Sequence, residues 1–109
     1  MPETAKHAEP FTLAYGLEYD GRRHYHGAIR VPTVLDREIA LEETPENASN
    51  ARVDRHVWAR TLVRLGDIPT DAITPDLLAT LVDADYGPIR DAEDCAKKKL
   101  LPAKEEPED

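Results

Sequence analysis

The stretch DGRRHYHGAIRVPT, residues 20–33, sets His24 and His26 two positions apart. Alternate residues of a strand point the same way, so this spacing can present two imidazoles to one metal ion. Zinc takes three or four protein ligands, and the other donors, His7, His56, Cys95 and scattered acids, show no recognised ligand spacing. The pair therefore reads first as a polar strand face and only second as a metal candidate, and no cofactor is expected. Catalytic chemistry has less to work with. The five glycines are dispersed and form no phosphate-cradling loop, no nucleophile elbow is present, and Cys95 lies in AEDCAKKK with no histidine near it in sequence. Asp83 and Asp85 suit a helix end and a helix cap better than an acid–base dyad. A non-enzymatic protein is expected.

Arg52, Arg55, Arg60 and Arg64, with His56, gather positive charge on one segment of a chain whose net charge is −8. Two readings follow: a solvated face neutralised by acids of the preceding helix, or a docking strip for an acidic protein partner. Nucleic acid is opposed by the overall charge and by the lack of aromatics interleaved with these arginines. Trp58, in the same segment, is assigned to the core, although tryptophan is also favoured at interface hot spots.

These residues need elements to position them. A chain of 109 residues fits one domain, and 40% hydrophobic against 33% charged residues allows one packed core beneath a charged surface. There is no secretory signal and no run of about 18 apolar residues, so a soluble, cytoplasmic protein without membrane contact is expected. Cys95 is the only cysteine, which excludes an intrachain disulfide and suits a reducing compartment. Residues 1–9 and the acidic end, 101–109, read as disordered tails around a domain at 10–100.

Within that domain FTLAYGLEY alternates, with Phe11, Leu13, Tyr15, Leu17 and Tyr19 on one face, and a second strand follows Asp20-Gly21, giving a hairpin over 11–31. Parity favours a three-residue loop, Tyr19-Asp20-Gly21, pairing Leu17 with Arg23, Tyr15 with Tyr25, Leu13 with Gly27 and Phe11 with Ile29. That register sets Glu18 opposite Arg22 and leaves His24 and His26 on the polar face. Four helices are predicted after it. The first, about 33–43, is capped by Thr33 with Asp36 three residues on, and Val34, Leu35, Ile39 and Leu41 are its apolar positions. The second, about 48–65, places Val53, Val57, Thr61, Leu62 and Leu65 near one face and stops at Gly66. A third, 75–84, opens on Thr74-Pro75 with Leu77, Leu78, Leu81 and Val82, and a fourth, 85–100, carries Pro88 in its first turn. The class is α+β, mostly helical: a hairpin leading into a cluster of short helices.

Two blocks, IRVPTVLD (Ile29 to Asp36) and RTLVRLGDIPTDAITPDLLATLVDADYGPI (Arg60 to Ile89), resemble the tail assembly chaperones of Mu-like tailed phages. The matching positions are Arg30, Pro32, Thr33 and Asp36, then Leu62, Leu65, Ile73, Leu81, Asp85 and Tyr86, and the likeness spans about residues 11–96. The resemblance implies a non-enzymatic chaperone in the cytoplasm of the bacterial host, absent from the mature virion. Its implied partner is the long, helical, aggregation-prone tape measure protein, with the tail tube protein second. Such proteins are commonly made in a short form and a frameshifted longer one. The motif residues Arg30, Pro32, Thr33, Asp36, Asp85 and Tyr86 are expected to be structural. A small acidic helical protein can cover a partner helix in an apolar groove while its charge prevents co-aggregation. That groove is expected between the second and third helices, near Trp58, Leu62, Leu78 and Leu81, with Arg52, Arg55, Arg60 and Arg64 as its charged surround. Several copies along an extended client would act by avidity, and self-association stays open. The alternatives are a metal-binding module using His24 and His26 and a nucleic-acid-binding regulator using the arginines.

Overall fold

The structure, a computed structural model, describes residues 8–101. Of the expected tails, residues 1–7 and 102–109 lie outside the described residues, whereas Glu9 already belongs to a strand. The elements are β1 (Glu9–Tyr19), β2 (Arg22–Ile29), α1 (Val34–Glu43), α2 (Asn50–Thr61), β3 (Leu62–Leu65), α3 (Pro75–Leu78) and α4 (Tyr86–Leu100), with short 3-10 turns at Thr70–Ala72 and Asp83–Asp85. The three strands form one antiparallel sheet in the order β1-β2-β3. The α+β class is as expected. No helix among the described residues is long and apolar enough to cross a membrane.

The hairpin register differs from expectation. Tyr19 pairs with Arg22, Glu18 with Arg23 and Leu17 with His24, so the turn holds two residues. Both have positive φ, Asp20 at 56° and Gly21 at 79°, the combination that matches the twist of a tight hairpin. Further along, Thr12 pairs with His26 and Phe11 with Gly27. Four residues, Leu13 to Gly16, thus lie between Thr12 and Leu17, against Tyr25 alone on β2. This wide irregularity resets parity in mid-strand, and an unbroken alternation could not place it. Gly16 turns the bulge at φ 82°, and the Tyr25 ring occupies the space a β-carbon would need, 2.9 Å away. The amides freed from the ladder are not left bare. Ala14, Tyr15 and Gly16 donate their N–H groups to the carboxylate of buried Asp85 at 2.8, 2.9 and 3.0 Å. Asp85 stands at the N-cap of α4, yet its side chain makes no capping bond there, contrary to the cap expected of it.

The second helix is also shorter than predicted. Leu62–Leu65 leaves the helix and becomes β3, pairing with β2 at Gly27, Ala28 and Ile29. Bonds from the Arg30 N–H to the Thr61 carbonyl (3.0 Å) and from the Gly66 N–H to the His26 carbonyl (2.7 Å) bracket the pairing. Leu62 and Leu65 are buried in either conformation, so apolar spacing does not separate a last helical turn from a short strand. Gly27 is needed at the crossing, because a β-carbon there would lie 2.5 Å from Phe11 Cζ and 2.8 Å from the Arg64 carbonyl oxygen. The predicted third helix closes after one turn, at Leu78, and the chain reaches α4 through the turn at Asp83–Asp85.

The caps expected at Thr33 and Thr74 form, and Ser49 supplies a third. Thr33 and Asp36 form a reciprocal capping box on α1, Ser49 accepts from the Arg52 N–H, and Thr74 accepts from the Leu77 N–H. The faces of α1 do not follow expectation. It buries Asp36 and Ala40 and leaves Val34, Leu35 and Leu41 at 77, 55 and 54% exposure, the reverse of the expected packing. The reason is charge. Asp36 accepts from Arg30 Nη1 (2.7 Å) and Arg60 Nε (2.9 Å), besides the Thr33 N–H (2.7 Å), so the carboxylate faces inward to two remote arginines. Burial works against its ionisation, but the bonds from Arg30, the Thr33 N–H and Arg60 outweigh it and hold the carboxyl far below the ordinary carboxylate range. The core itself joins Leu13 and Leu17 of β1 and Ile29 of β2 to Val57 and Trp58 of α2, Leu65 of β3 and Ile89 of α4.

Candidate functional site

Between α2 and the segment from α3 to the start of α4 lies a groove of about 290 Å³, lined by Arg55, Trp58, Leu78, Leu81, Val82 and Tyr86 among others. Trp58 and Tyr86 meet with ring centroids 4.9 Å apart and planes tilted by 50°. Their positions are held from below by a polar cluster. The Trp58 indole N–H donates to buried Glu93 at 2.7 Å, and Lys97 Nζ reaches the other oxygen of that carboxylate at 2.9 Å. The Tyr86 hydroxyl donates to buried Asp54, which also accepts from Arg90 Nη2 at 2.6 Å. The Arg90 guanidinium lies 5.9 Å from the Trp58 ring centre and 6.0 Å from that of Tyr86, within cation–π range of both. Burial, and then the bond to Asp54, push the Tyr86 phenol above its ordinary value, so it stays a neutral donor. The half-buried Tyr86 wall and the buried Trp58 behind it are therefore fixed before anything binds. Such a groove can take apolar side chains, and its polar foundation is already paired.

Trp58, Leu78 and Leu81 all lie at the groove, Trp58 and Leu78 buried beneath it and Leu81 half-buried at its edge. Leu62 does not; it sits in β3, buried in the core. Val82 and Tyr86 were missing from the sequence expectation. Helical spacing does not bring them there, because the chain leaves the helix at Leu78 and turns at Asp83–Asp85 before Tyr86.

The arginines do not form one strip. Arg60 is committed to Asp36, Arg55 donates to the Pro75 carbonyl at 3.1 Å at the groove wall, and Arg64 is on β3. His56 Nδ1 meets Glu43 at 2.7 Å. Arg52 and Arg64 are exposed and have no carboxylate partner among the described residues. The reading of a face neutralised by acids of the preceding helix is the one realised at Arg60 and His56.

The histidines part company as well. His24 is buried, accepting from the Asp67 N–H at Nδ1 (3.2 Å) with Nε2 3.4 Å from the Tyr19 carbonyl oxygen, which assigns the proton to Nε2. Gly66, at φ 55°, lets the loop pass over this ring, since a β-carbon there would fall 2.2 Å from Nδ1. His26 is exposed and faces Thr12 Oγ1 at 3.2 Å. No group of three or more metal-ligating side chains occurs among the described residues. The motif residues divide in two, Arg30, Pro32, Thr33 and Asp36 at the entry to α1, and Asp85 and Tyr86 where the bulge, the groove and α4 meet. Comparisons with protein-family models, curated proteins and solved structures return no match to this chain.

Proposed function

We propose that the protein is a non-enzymatic tail assembly chaperone of the Mu-like phage kind, whose groove beside Trp58 holds apolar side chains of the helical tape measure protein while tail tube subunits assemble. One observation carries this reading: an open groove bordered by Leu81, Val82 and Tyr86 above the buried Trp58 and Leu78, held in place by the Asp54–Tyr86–Arg90 and Trp58–Glu93 bonds. Helix-in-groove binding needs such a preformed slot, and a volume of about 290 Å³ suits a few aliphatic side chains of one helix face. A net charge of −8 keeps the complex soluble once client surface is covered. The place of action is the host cytoplasm, before the virion is complete.

Co-expression with the tape measure protein encoded by the same genome tests this. The client should move from the pellet to the soluble fraction, and Leu81→Glu or Val82→Glu should return it to the pellet while the chaperone itself stays folded. A client that remains insoluble with the wild-type chain, or is rescued equally by the groove variants, refutes the reading.

A further inference from the structure

Helix α1 is amphipathic with its two sides exchanged. Its buried side chains are Ala40 and Asp36, the latter bonded to Arg30, Arg60 and Thr33, and its outward side carries Val34, Leu35 and Leu41, among the most exposed large aliphatic residues described. Val34 and Leu41 are seven residues apart, about two turns, so they stand one above the other, with Glu38 and Glu42 beside them. All five outward residues are exposed. Turning the helix to bury the aliphatics would pull Asp36 away from both arginines, so the ion network holds the apolar side outward.

We infer that this face is a second docking surface, separate from the groove, and that it receives an amphipathic helix of another protein whose apolar stripe is flanked by lysines or arginines. Charge complementarity selects that occupant. Glu38 and Glu42 lie along one side of the Val34–Leu41 line, while Arg37 lies on the other side and the Glu43 carboxylate is taken by His56. A basic flank on the partner meets Glu38 and Glu42 directly. A second copy of α1 fits badly, because two-fold pairing of antiparallel helices brings like flanks together, Glu38 towards Glu38 and Arg37 towards Arg37. The inference does not rest on the groove reading.

The full chain, titrated into a fluorescent Leu/Lys amphipathic peptide of about 18 residues, long enough to hold a helix, tests the surface against a Leu/Glu peptide of the same pattern. The wild type should prefer the Leu/Lys peptide. Val34→Ser with Leu41→Ser should weaken that binding by about tenfold or more, and Glu38→Lys with Glu42→Lys should reverse the preference, each variant keeping the wild-type melting profile because its changes are on the surface. Leu81→Glu, in the groove, should leave both affinities unchanged. Failure of the wild type to bind either peptide, binding indifferent to the α1 changes, or binding lost equally with Leu81→Glu overturns the inference. A sedimenting dimer that Leu41→Ser dissolves also overturns it, assigning the face to a second copy.

Discussion

Asp36 caps its own helix and joins it to the end of β2, through Arg30, and to α2, through Arg60. The first role was legible, since Thr33 and Asp36 have capping-box spacing before an apolar run. The second was not, because Arg30 and Arg60 are separated by 30 positions and nothing local says that they converge. Asp36→Asn should cost about 2 kcal/mol at neutral pH in urea unfolding, less than a fully buried pair would, since both arginines are partly exposed. The folded carboxyl titrates below its unfolded value, so its contribution is complete above the unfolded pKa and is lost progressively as pH falls from there towards the folded one. The gap between wild type and Asp36→Asn should stay level from pH 7 to about 5 and narrow below about pH 4. Thr61 tests the opposite case. Its buried hydroxyl has no hydrogen-bond partner, so Thr61→Val should raise stability by about 0.5–1 kcal/mol, read as a higher urea midpoint at unchanged slope.

Among the elements, those with local punctuation were the readable ones. Asp20-Gly21 marks the hairpin, Thr33, Ser49 and Thr74 mark helix starts, and Pro88 sits in the first turn of its helix. The bulge and β3 lacked such marks. The bulge depends on Asp85, about 70 positions away, and β3 exists because the edge of β2 accepts a third strand, with Gly27 leaving room for it. Asp85→Ala should strip three amides of their acceptor and cost roughly 2–4 kcal/mol, with hydrogen exchange accelerating at Ala14, Tyr15 and Gly16 before the rest of the sheet. Gly16→Ala should cost about 1–2 kcal/mol through its positive φ, beyond any displacement of Tyr25. Unchanged exchange at those amides in the Asp85 variant would show that the carboxylate does not hold the bulge.

At the scale of the molecule, the groove and the outward side of α1 differ in physics, and salt should separate them. Raising ionic strength screens exposed Glu38 and Glu42, so binding at α1 should weaken between 0.1 and about 0.5 M salt, while client held in the apolar groove should stay bound. Pull-down of the proposed tape measure client across that range, beside titration of the Leu/Lys peptide in the same salts, reads the difference. Of the groove, Trp58, Leu78 and Leu81 could be named from helical spacing; Tyr86 could not be placed there, because the turn at Asp83–Asp85 sets its direction.

The carboxylate of Asp85 also imposes an order on synthesis. Hairpin residues leave the ribosome first, but the three amides of their bulge find their acceptor only when the chain has grown to Asp85. A nascent chain stalled before that point carries an unfinished bulge, so the native hairpin appears late, once Asp85 has emerged. Protease pulses on arrested nascent chains should find the N-terminal segment cleavable until Asp85 is clear of the exit tunnel, and protected from then on.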